Sequence, residues 1–253
     1  MRRIFIPGSL QEKFYIEGPD AHHLSHVMRS KPGDRIVIAD NDGQVAECEM
    51  TAFSADRIEV RLVQYIDQAT ESPVEITLAQ CLPKGDKLEL IAQKATELGV
   101  NTIVPLVSDN CVVRYDAKKA QAKREKWQKI ANEAGKQCSR DVLPEVQSVQ
   151  SLKDWLKTAA ADNGLAVCMC YENEEQTGMA EFLRSIPAPM KRIAVVVGPE
   201  GGFSLTEAAL ARESGISSVS LGPRILRAET AAIAAVAVIQ YEKGDLGGGC
   251  VGE

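Results

Sequence analysis

The pattern of apolar and polar positions changes character once along the chain. Over residues 1–70 the apolar residues come in short strand-like runs: Arg3–Ile6, Arg35–Ala39, Gln44–Phe53 and Arg57–Ile66. Lys31-Pro32-Gly33-Asp34 and Asp40-Asn41-Asp42-Gly43 both read as hairpin turns. One helix fits Asp20–Arg29, with Asp20 as its cap and Leu24, Val27 and Met28 on a common face. Short strands with tight turns predict a small barrel. The polar stretch Ala69-Thr70-Glu71-Ser72-Pro73 marks a domain boundary.

Beyond that stretch strands and helices alternate. Strands are expected at Val74–Leu82, Thr102–Val107, Leu165–Cys170, Ile193–Val197 and Ser217–Leu221. Helices are expected at Asp86–Leu98, closed by Gly99, and at Ala117–Cys138, striped by Trp127, Ile130, Ala131, Ala134 and Cys138. A third covers Ser204–Glu213 with a Ser204/Glu207 capping box, and a fourth Glu229–Tyr241. This order predicts an α/β domain over 74–243, a mainly parallel sheet with helices on both faces. The run AAIAAVAVI in the last helix is apolar all round, which predicts burial on every side, in a core or in a homodimer interface. The glycine-rich tail 244–253 is expected to be disordered.

Composition narrows the class. The 253 residues are 45% apolar and 25% charged, as in ordinary soluble globular proteins. The longest apolar run, Ala231–Ile239, is too short to cross a bilayer. Met1-Arg2-Arg3 leads into Ile4-Phe5-Ile6 and then Pro7, which is no signal-peptide core, so a cytoplasmic location is expected. The seven cysteines are odd in number and include no C-x-x-C, which argues against disulfides and against a metal site; Cys168 and Cys170 read as buried thiols. The net charge of −6 opposes nucleic acid, but its distribution does not. Arg114, Lys118, Lys119, Lys123, Arg124, Lys126, Lys129, Lys136 and Arg140 face only Asp116, Glu125 and Glu133, and Arg2, Arg3, Arg29, Lys31 and Arg35 form a second basic group. These are solvated faces or phosphate contacts.

Two segments carry the candidate chemistry. VVVGPEGGFS (195–204) and SLGPRILRAETA (220–231) each follow an apolar strand and lead into a helix, and such strand ends are where open α/β sheets bind ligands. The first is neither a Walker loop nor G-x-G-x-x-G. Pro199 stiffens it, Gly201 and Gly202 permit close backbone approach, and Glu200 suits a hydroxylated or cationic ligand better than a phosphate. A plain strand-to-helix turn is the alternative. In the second, Glu229 or Thr230 reads as a helix cap, and Arg224 and Arg227 as contacts for a phosphate or a polarised carbonyl. The only histidines, His22, His23 and His26, lie near the N-terminus, which argues against a Ser-His-Asp or Cys-His hydrolase in the α/β domain.

KGDKLELIAQKATELGV (84–100), W-x-x-I-x-x-E-A-x-x-Q-C-x-R (127–140), VGPEGGFSLTE (197–207) and LGPRILRAETA (221–231) together closely resemble the RsmE family. These are S-adenosylmethionine-dependent methyltransferases acting on N3 of one uridine in bacterial small-subunit (16S) ribosomal RNA. H-H-L-x-x-V-M-R (22–29), followed by Gly-Asp, resembles the family's RNA-binding domain. The likeness covers nearly the whole chain. It departs at Asn110-Cys111, where the family usually has arginine and a small residue, and over about the last nine residues. The resemblance implies a PUA-like N-terminal β-barrel and a SPOUT domain with a deep trefoil knot around 195–204 and 220–231. It also implies a homodimer with the active site at the interface. S-adenosylmethionine would be held bent by Val197, Gly198, Pro199, Glu200, Gly201, Gly202, Leu221, Gly222, Leu226, Arg227, Ala228, Thr230 and Ala231. Uracil N3 bears a proton, so the reaction needs a base or a cation that stabilises the anion. Position in the motifs offers Glu229 or Glu200 as base and Arg140 or Arg227 as stabiliser. Ribosomal RNA would lie on Arg2, Arg3, His22, Arg29, Lys84, Arg114, Lys118, Lys123 and Arg124, mostly through phosphates.

Overall fold

The computed structural model describes residues 3–40, 43–66 and 70–247. The chain divides into two compact units, Met1–Glu71 with Gly135–Leu143, and Ser72–Ala134 with Pro144–Glu253. Arg2, Asn41 and Asp42 of the expected hairpin, Ala69 of the expected boundary, and residues 248–253 of the tail lie outside the described residues.

The first unit is built on β1 (Arg3–Phe5), β2 (Lys13–Glu17), β3 (Arg35–Ala39), β4 (Val45–Phe53) and β5 (Arg57–Tyr65), in the order β1-β3-β4-β5-β2. β1 runs parallel to β3 and the other pairs are antiparallel. The expected barrel is thus a curled half-barrel whose ends, β1 and β2, do not pair with each other. Alternate residues of the strands, among them Ile36, Ile38, Met50, Ile58 and Val60, fill one core with Leu24. β2 escaped the sequence pattern because only Ile16 of its five residues is fully buried. Lys31–Asp34 closes a turn, Asp34 N donating to Lys31 O at 3.0 Å, but it joins a helical segment to β3 and is no hairpin.

The expected helix at 20–29 is altered. α1 (Gly18–His22) begins two residues earlier, so Asp20 lies in its first turn and caps nothing. A π-helical turn, His23–Val27, follows, and Met28 N donates to His23 O. The wider turn keeps Leu24 buried and rotates Val27 and Met28 outward to 63% and 53% exposure. Arg29 then takes a left-handed φ of 55°.

The second unit holds a parallel sheet of β6 (Glu75–Cys81), β7 (Thr102–Val107), β8 (Glu145–Val146), β10 (Leu165–Cys170), β11 (Arg192–Val197) and β12 (Ser217–Val219). Its order is β12-β10-β11-β6-β7-β8, and β9 (Gln150–Ser151) also pairs with β7. β8 meets Thr102 and Ile103 while β9 meets Leu106 and Val107, leaving Pro105, which has no N–H to offer, between the two ladders. α2 (Lys87–Glu97), α5 (Met179–Ser185) and α7 (Ala228–Lys243) pack together, and α4 (Leu152–Ala160) packs with α6 (Leu205–Glu213); α3 is Ala117–Gln137.

Local rules set the ends of these helices. Gly99, at φ 86°, closes α2: its N–H donates to Thr96 O, and that of Val100 to Ala95 O. Ser204 and Glu207 form the expected capping box on α6. α7 departs from expectation at its start: its N-cap is Arg227, so Glu229 and Thr230 lie inside the helix and neither is the cap. Within this chain Ala228, Ala232, Ala235, Val236 and Ile239 face the core, while Ile233, Ala234 and Ala237 remain partly exposed and Tyr241 is 67% exposed, which is not the all-round burial of a central core helix. Gly244 and Leu246 donate to Gln240 O, so the start of the tail is an ordered turn rather than disordered chain.

Candidate active site

Parallel strands end together, so the loops following β6, β7, β10, β11 and β12 gather at one edge of the sheet. Side chains from these loops meet. Asn110, after β7, donates through Nδ2 to Gly201 O at 2.9 Å. Glu172, after β10, lies over Gly202, whose φ is 63°. A Cβ on Gly202 would collide with the Glu172 carboxylate, which explains why this position is glycine. The loop after β12 is tied to the one after β10 by Ser220 N donating to Thr177 O at 2.9 Å and Met179 N to Ser220 O at 3.1 Å. Gln80, fully buried at the end of β6, donates through Nε2 to Val197 O and Gly198 O, and its Oε1 has no hydrogen-bond partner.

The centre of the site is a charged triad. Lys87 Nζ lies 2.7 Å from Glu200 Oε1 and 3.3 Å from Glu229 Oε2. The amide of Lys84 donates to both oxygens of Glu200, at 3.1 and 3.2 Å. Burial pushes the Glu200 carboxyl up, but the hydrogen bonds from Lys87 and Lys84 outweigh it and hold it below its ordinary range. The hydrogen bond to Glu200 in turn raises Lys87, so its ammonium is the stable form. Glu229 is only 16% exposed; its Oε2 is closed to solvent, and the contact with Lys87 lacks hydrogen-bond geometry.

The expected cofactor residues Val197, Gly198, Pro199, Glu200, Gly201, Gly202, Leu221, Gly222, Leu226, Arg227, Ala228, Thr230 and Ala231 all belong to the second unit, on two loops at this edge and the first turn of α7. Their chemistry fits a cationic, hydroxylated group. They offer backbone amides and carbonyls and small or apolar side chains, with Glu172 and Glu200 beside the glycines. At Gly222, φ 107°, a Cβ would meet nothing within 4 Å, so the backbone lies open.

The expected catalytic and RNA-contacting residues divide. Glu200 and Glu229 come together; Arg227 caps α7 and is exposed. Arg140 belongs to the first unit, where its buried guanidinium is bound by Glu71, Nη2 to Oε2 at 2.6 Å and Nε to both oxygens. Arg3 is likewise buried, bonded to Asp141 and to Ser139 O at 2.8 Å, and has no exposed group for a phosphate. Arg124 donates to Val146 O, and Lys123 pairs with Asp86 and Glu89. His22, Arg29, Lys84, Arg114 and Lys118 are exposed, and His22 stacks on His26 with ring centroids 4.3 Å apart.

Lys87, Glu172 and Gln80 escaped the sequence reading, which named Asn110 only as a departure from the family pattern. Lys87 lies within a segment that the resemblance singled out, but its partners are 113 and 142 residues away, and no local pattern pairs them. Burial pushes the Cys168 thiol well up and that of Cys170 up to about 12, so neither is a nucleophile at neutral pH. Among the described residues no helix is long and apolar enough to cross a membrane.

Comparison with known proteins agrees with this geometry. The RNA methyltransferase domain family matches residues 70–240, and the RNA methyltransferase PUA domain family matches residues 16–63. The chain is 36% identical over 250 residues to the ribosomal RNA small subunit methyltransferase E of Bacillus subtilis, covering 96% of this chain and 97% of the relative. It is 32% identical over 250 residues to that of Buchnera aphidicola, with 96% and 97% covered. It superposes with a TM-score of 0.85 on the crystal structure of a ribosomal RNA small subunit methyltransferase E from Neisseria gonorrhoeae bound to S-adenosyl methionine, at 31% identity and with 97% and 99% of the chains covered. Two domain matches in order, near-complete coverage and a shared fold lead to one conclusion: this chain belongs to the ribosomal RNA small subunit methyltransferase E family.

Proposed function

We propose that the protein methylates N3 of a specific uridine in 16S ribosomal RNA, using S-adenosylmethionine. The observation that carries this reading is the convergence of Glu200 and Glu229 at the edge of the sheet where the two glycine-bearing loops meet. When bound, S-adenosylmethionine supplies a methyl carbon on a sulfonium, whose carbon–sulfur bond breaks with its electron pair going to sulfur. Backbone groups of Gly198–Gly202 and Leu221–Leu226 hold this cofactor, and Glu172 and Glu200 balance its positive charge. Glu229 takes the N3 proton and leaves the electron pair on N3 for the methyl carbon. Arg227, exposed at the N-cap of α7, steadies the uracil anion in this reading. A base buried in folded RNA must be flipped out or already unpaired to reach this site.

The active form in this reading is a cytoplasmic homodimer. The partly exposed apolar stripe of α7, with Tyr241 at 67% exposure, and Ile225 of the loop before it at 90%, support an interface there. Within the second unit, the chain returns from edge strand β12 to α7, which packs on the central strands β6 and β11, and this supports a trefoil knot around 195–204 and 220–231. The domains follow the same reading: a PUA-like RNA-binding region over 1–70 and a methyltransferase domain over 74–243. His22, Arg29, Lys84, Arg114 and Lys118 contact ribosomal RNA, chiefly through phosphates. The test is to incubate the protein with radiolabelled S-adenosylmethionine and small ribosomal subunits from cells lacking the enzyme, then to identify the labelled nucleoside. Label in 3-methyluridine is expected; label confined to any other nucleoside overturns the assignment.

A further inference from the structure

The segment Glu200–Ser204 is anchored at both ends. Glu200 accepts the amide of Lys84 at 3.1 Å and a hydrogen bond from Lys87 Nζ at 2.7 Å. Ser204 donates through Oγ to Asp109 at 2.9 Å, and its amide donates to Glu207. Between these anchors stand Gly201 and Gly202, whose backbones have the most conformational freedom to lose. Among the described residues one side chain donates to their carbonyls. It is Asn110, whose Nδ2 reaches Gly201 O at 2.9 Å and Gly202 O at 3.3 Å. A carbonyl only accepts, so the amide of Asn110 must present its nitrogen to them.

The contact fixes a peptide plane. The peptide joining Gly201 to Gly202 is held at both polar ends: its C=O by Asn110, and its N–H, on Gly202, by Pro199 O at 3.0 Å. It cannot turn over without breaking both bonds. A Cβ at Gly201 would lie 3.2 Å from Asn110 Cβ and 3.4 Å from Asn110 O, so side chain and loop are closely packed. Asn110 is itself carried on an anchored segment. Its neighbour Asp109 donates its amide to the buried Glu207 at 2.8 Å and pairs with Lys153 at 3.0 Å. Its other neighbour, Cys111, is buried, with Sγ 3.1 Å from Ser108 Oγ.

We propose that Asn110 is a positioning residue for the cofactor: it holds the glycine loop, before S-adenosylmethionine arrives, in the shape that binds it. The inference rests on the reading of 197–202 as part of the cofactor site. Two adjacent glycines left untied would have to be ordered by the ligand, at the expense of affinity. Asn110 is exposed, so replacing it opens no cavity in the core.

The experiment is calorimetric titration with S-adenosylmethionine, beside thermal melting and steady-state methylation of small subunits, for the wild type, Asn110→Ala and Asn110→Leu. Leucine has nearly the shape of asparagine and no donor. Both variants should bind S-adenosylmethionine about tenfold more weakly. Both should melt within about 4 °C of the wild type. The loss should appear in the KM for S-adenosylmethionine rather than in kcat or in the KM for small subunits. Wild-type affinity in Asn110→Leu would show that bulk and not the donor matters, and overturns the proposal. So does a raised KM for small subunits with cofactor affinity intact, which makes Asn110 an RNA contact. A larger drop in melting temperature in both variants overturns it as well, because the bonds then serve the fold. A wild type that binds no S-adenosylmethionine overturns the cofactor reading itself.

Discussion

Glu207 of α6 and Asp109 of the loop after β7 are joined at 2.8 Å, Asp109 N donating to Glu207 Oε1. The other oxygen of Glu207 accepts the amide of Ser204 at 2.9 Å, and the carboxylate is fully buried. One side chain therefore closes its own helix and pins a neighbouring loop, and Asp109 adds a bond from Ser204 Oγ at 2.9 Å. The glycine loop between β11 and α6 is held at its exit by this pair, which is why a capping box bears on the site.

Glu207→Ala would remove the buried acceptor of two amides, those of Ser204 and Asp109. Loss of a charged cap and of a buried acceptor together costs about 2–3 kcal/mol. Both tryptophans, Trp127 and Trp155, lie in the second unit, so fluorescence-monitored urea unfolding follows it directly. A midpoint equal to that of the wild type would refute this account.

The Glu71–Arg140 pair should make the first unit sensitive to acid. Burial pushes the Glu71 carboxyl up, but hydrogen bonds and charge from Arg140 outweigh it and leave it below its ordinary value of 4.5. A depressed carboxyl contributes stability that is present above that value and lost as pH falls through the folded one. Glu71→Gln should therefore destabilise at pH 7, by about 2–3 kcal/mol given that Glu71 keeps 22% exposure. The difference from the wild type should shrink in circular dichroism melts as the pH falls below 4.5. A difference independent of pH would show that the pair is not the cause.

Gly202 and Gly215 separate collision from strain. Both have positive φ, 63° and 78°, but only at Gly202 does a Cβ meet a side chain, the carboxylate of Glu172. Each alanine variant costs about 1–2 kcal/mol in backbone strain. Gly202→Ala should in addition weaken S-adenosylmethionine binding by about tenfold in calorimetry, a loss of about 1.4 kcal/mol. Gly215→Ala should leave that affinity unchanged. Equal affinities for both variants would remove the glycine loop from the cofactor site.

Two basic residues should behave in opposite ways. Lys118 is exposed, and Lys118→Gln should weaken RNA binding and lower the slope of affinity against salt by about one. Arg3 is buried against Asp141 and Ser139, and Arg3→Gln should lower the melting temperature of the first unit without altering that slope. Filter-binding titrations over a range of salt decide between them.

Much of the architecture is local and could be read from the chain. Thr102–Val107 and Leu165–Cys170 emerge with the expected bounds because parallel strands buried on both faces are continuous apolar runs. Gly99 and the Ser204/Glu207 box end their helices by bonds within four residues, so sequence alone determines them. The motifs in 197–207 and 221–231 likewise located the loops of the site. Other features depend on residues distant in the chain. The π-helical turn after α1 follows from packing Leu24 into the core at the expense of Val27 and Met28. Arg3 and Arg140 read as surface cations until the fold supplies Asp141 and Glu71, 138 and 69 residues away along the chain. Lys87, Glu200 and Glu229 acquire their arrangement only when three strand ends meet. Periodicity records which face of an element is buried, whereas a charge finds its partner only through the tertiary structure.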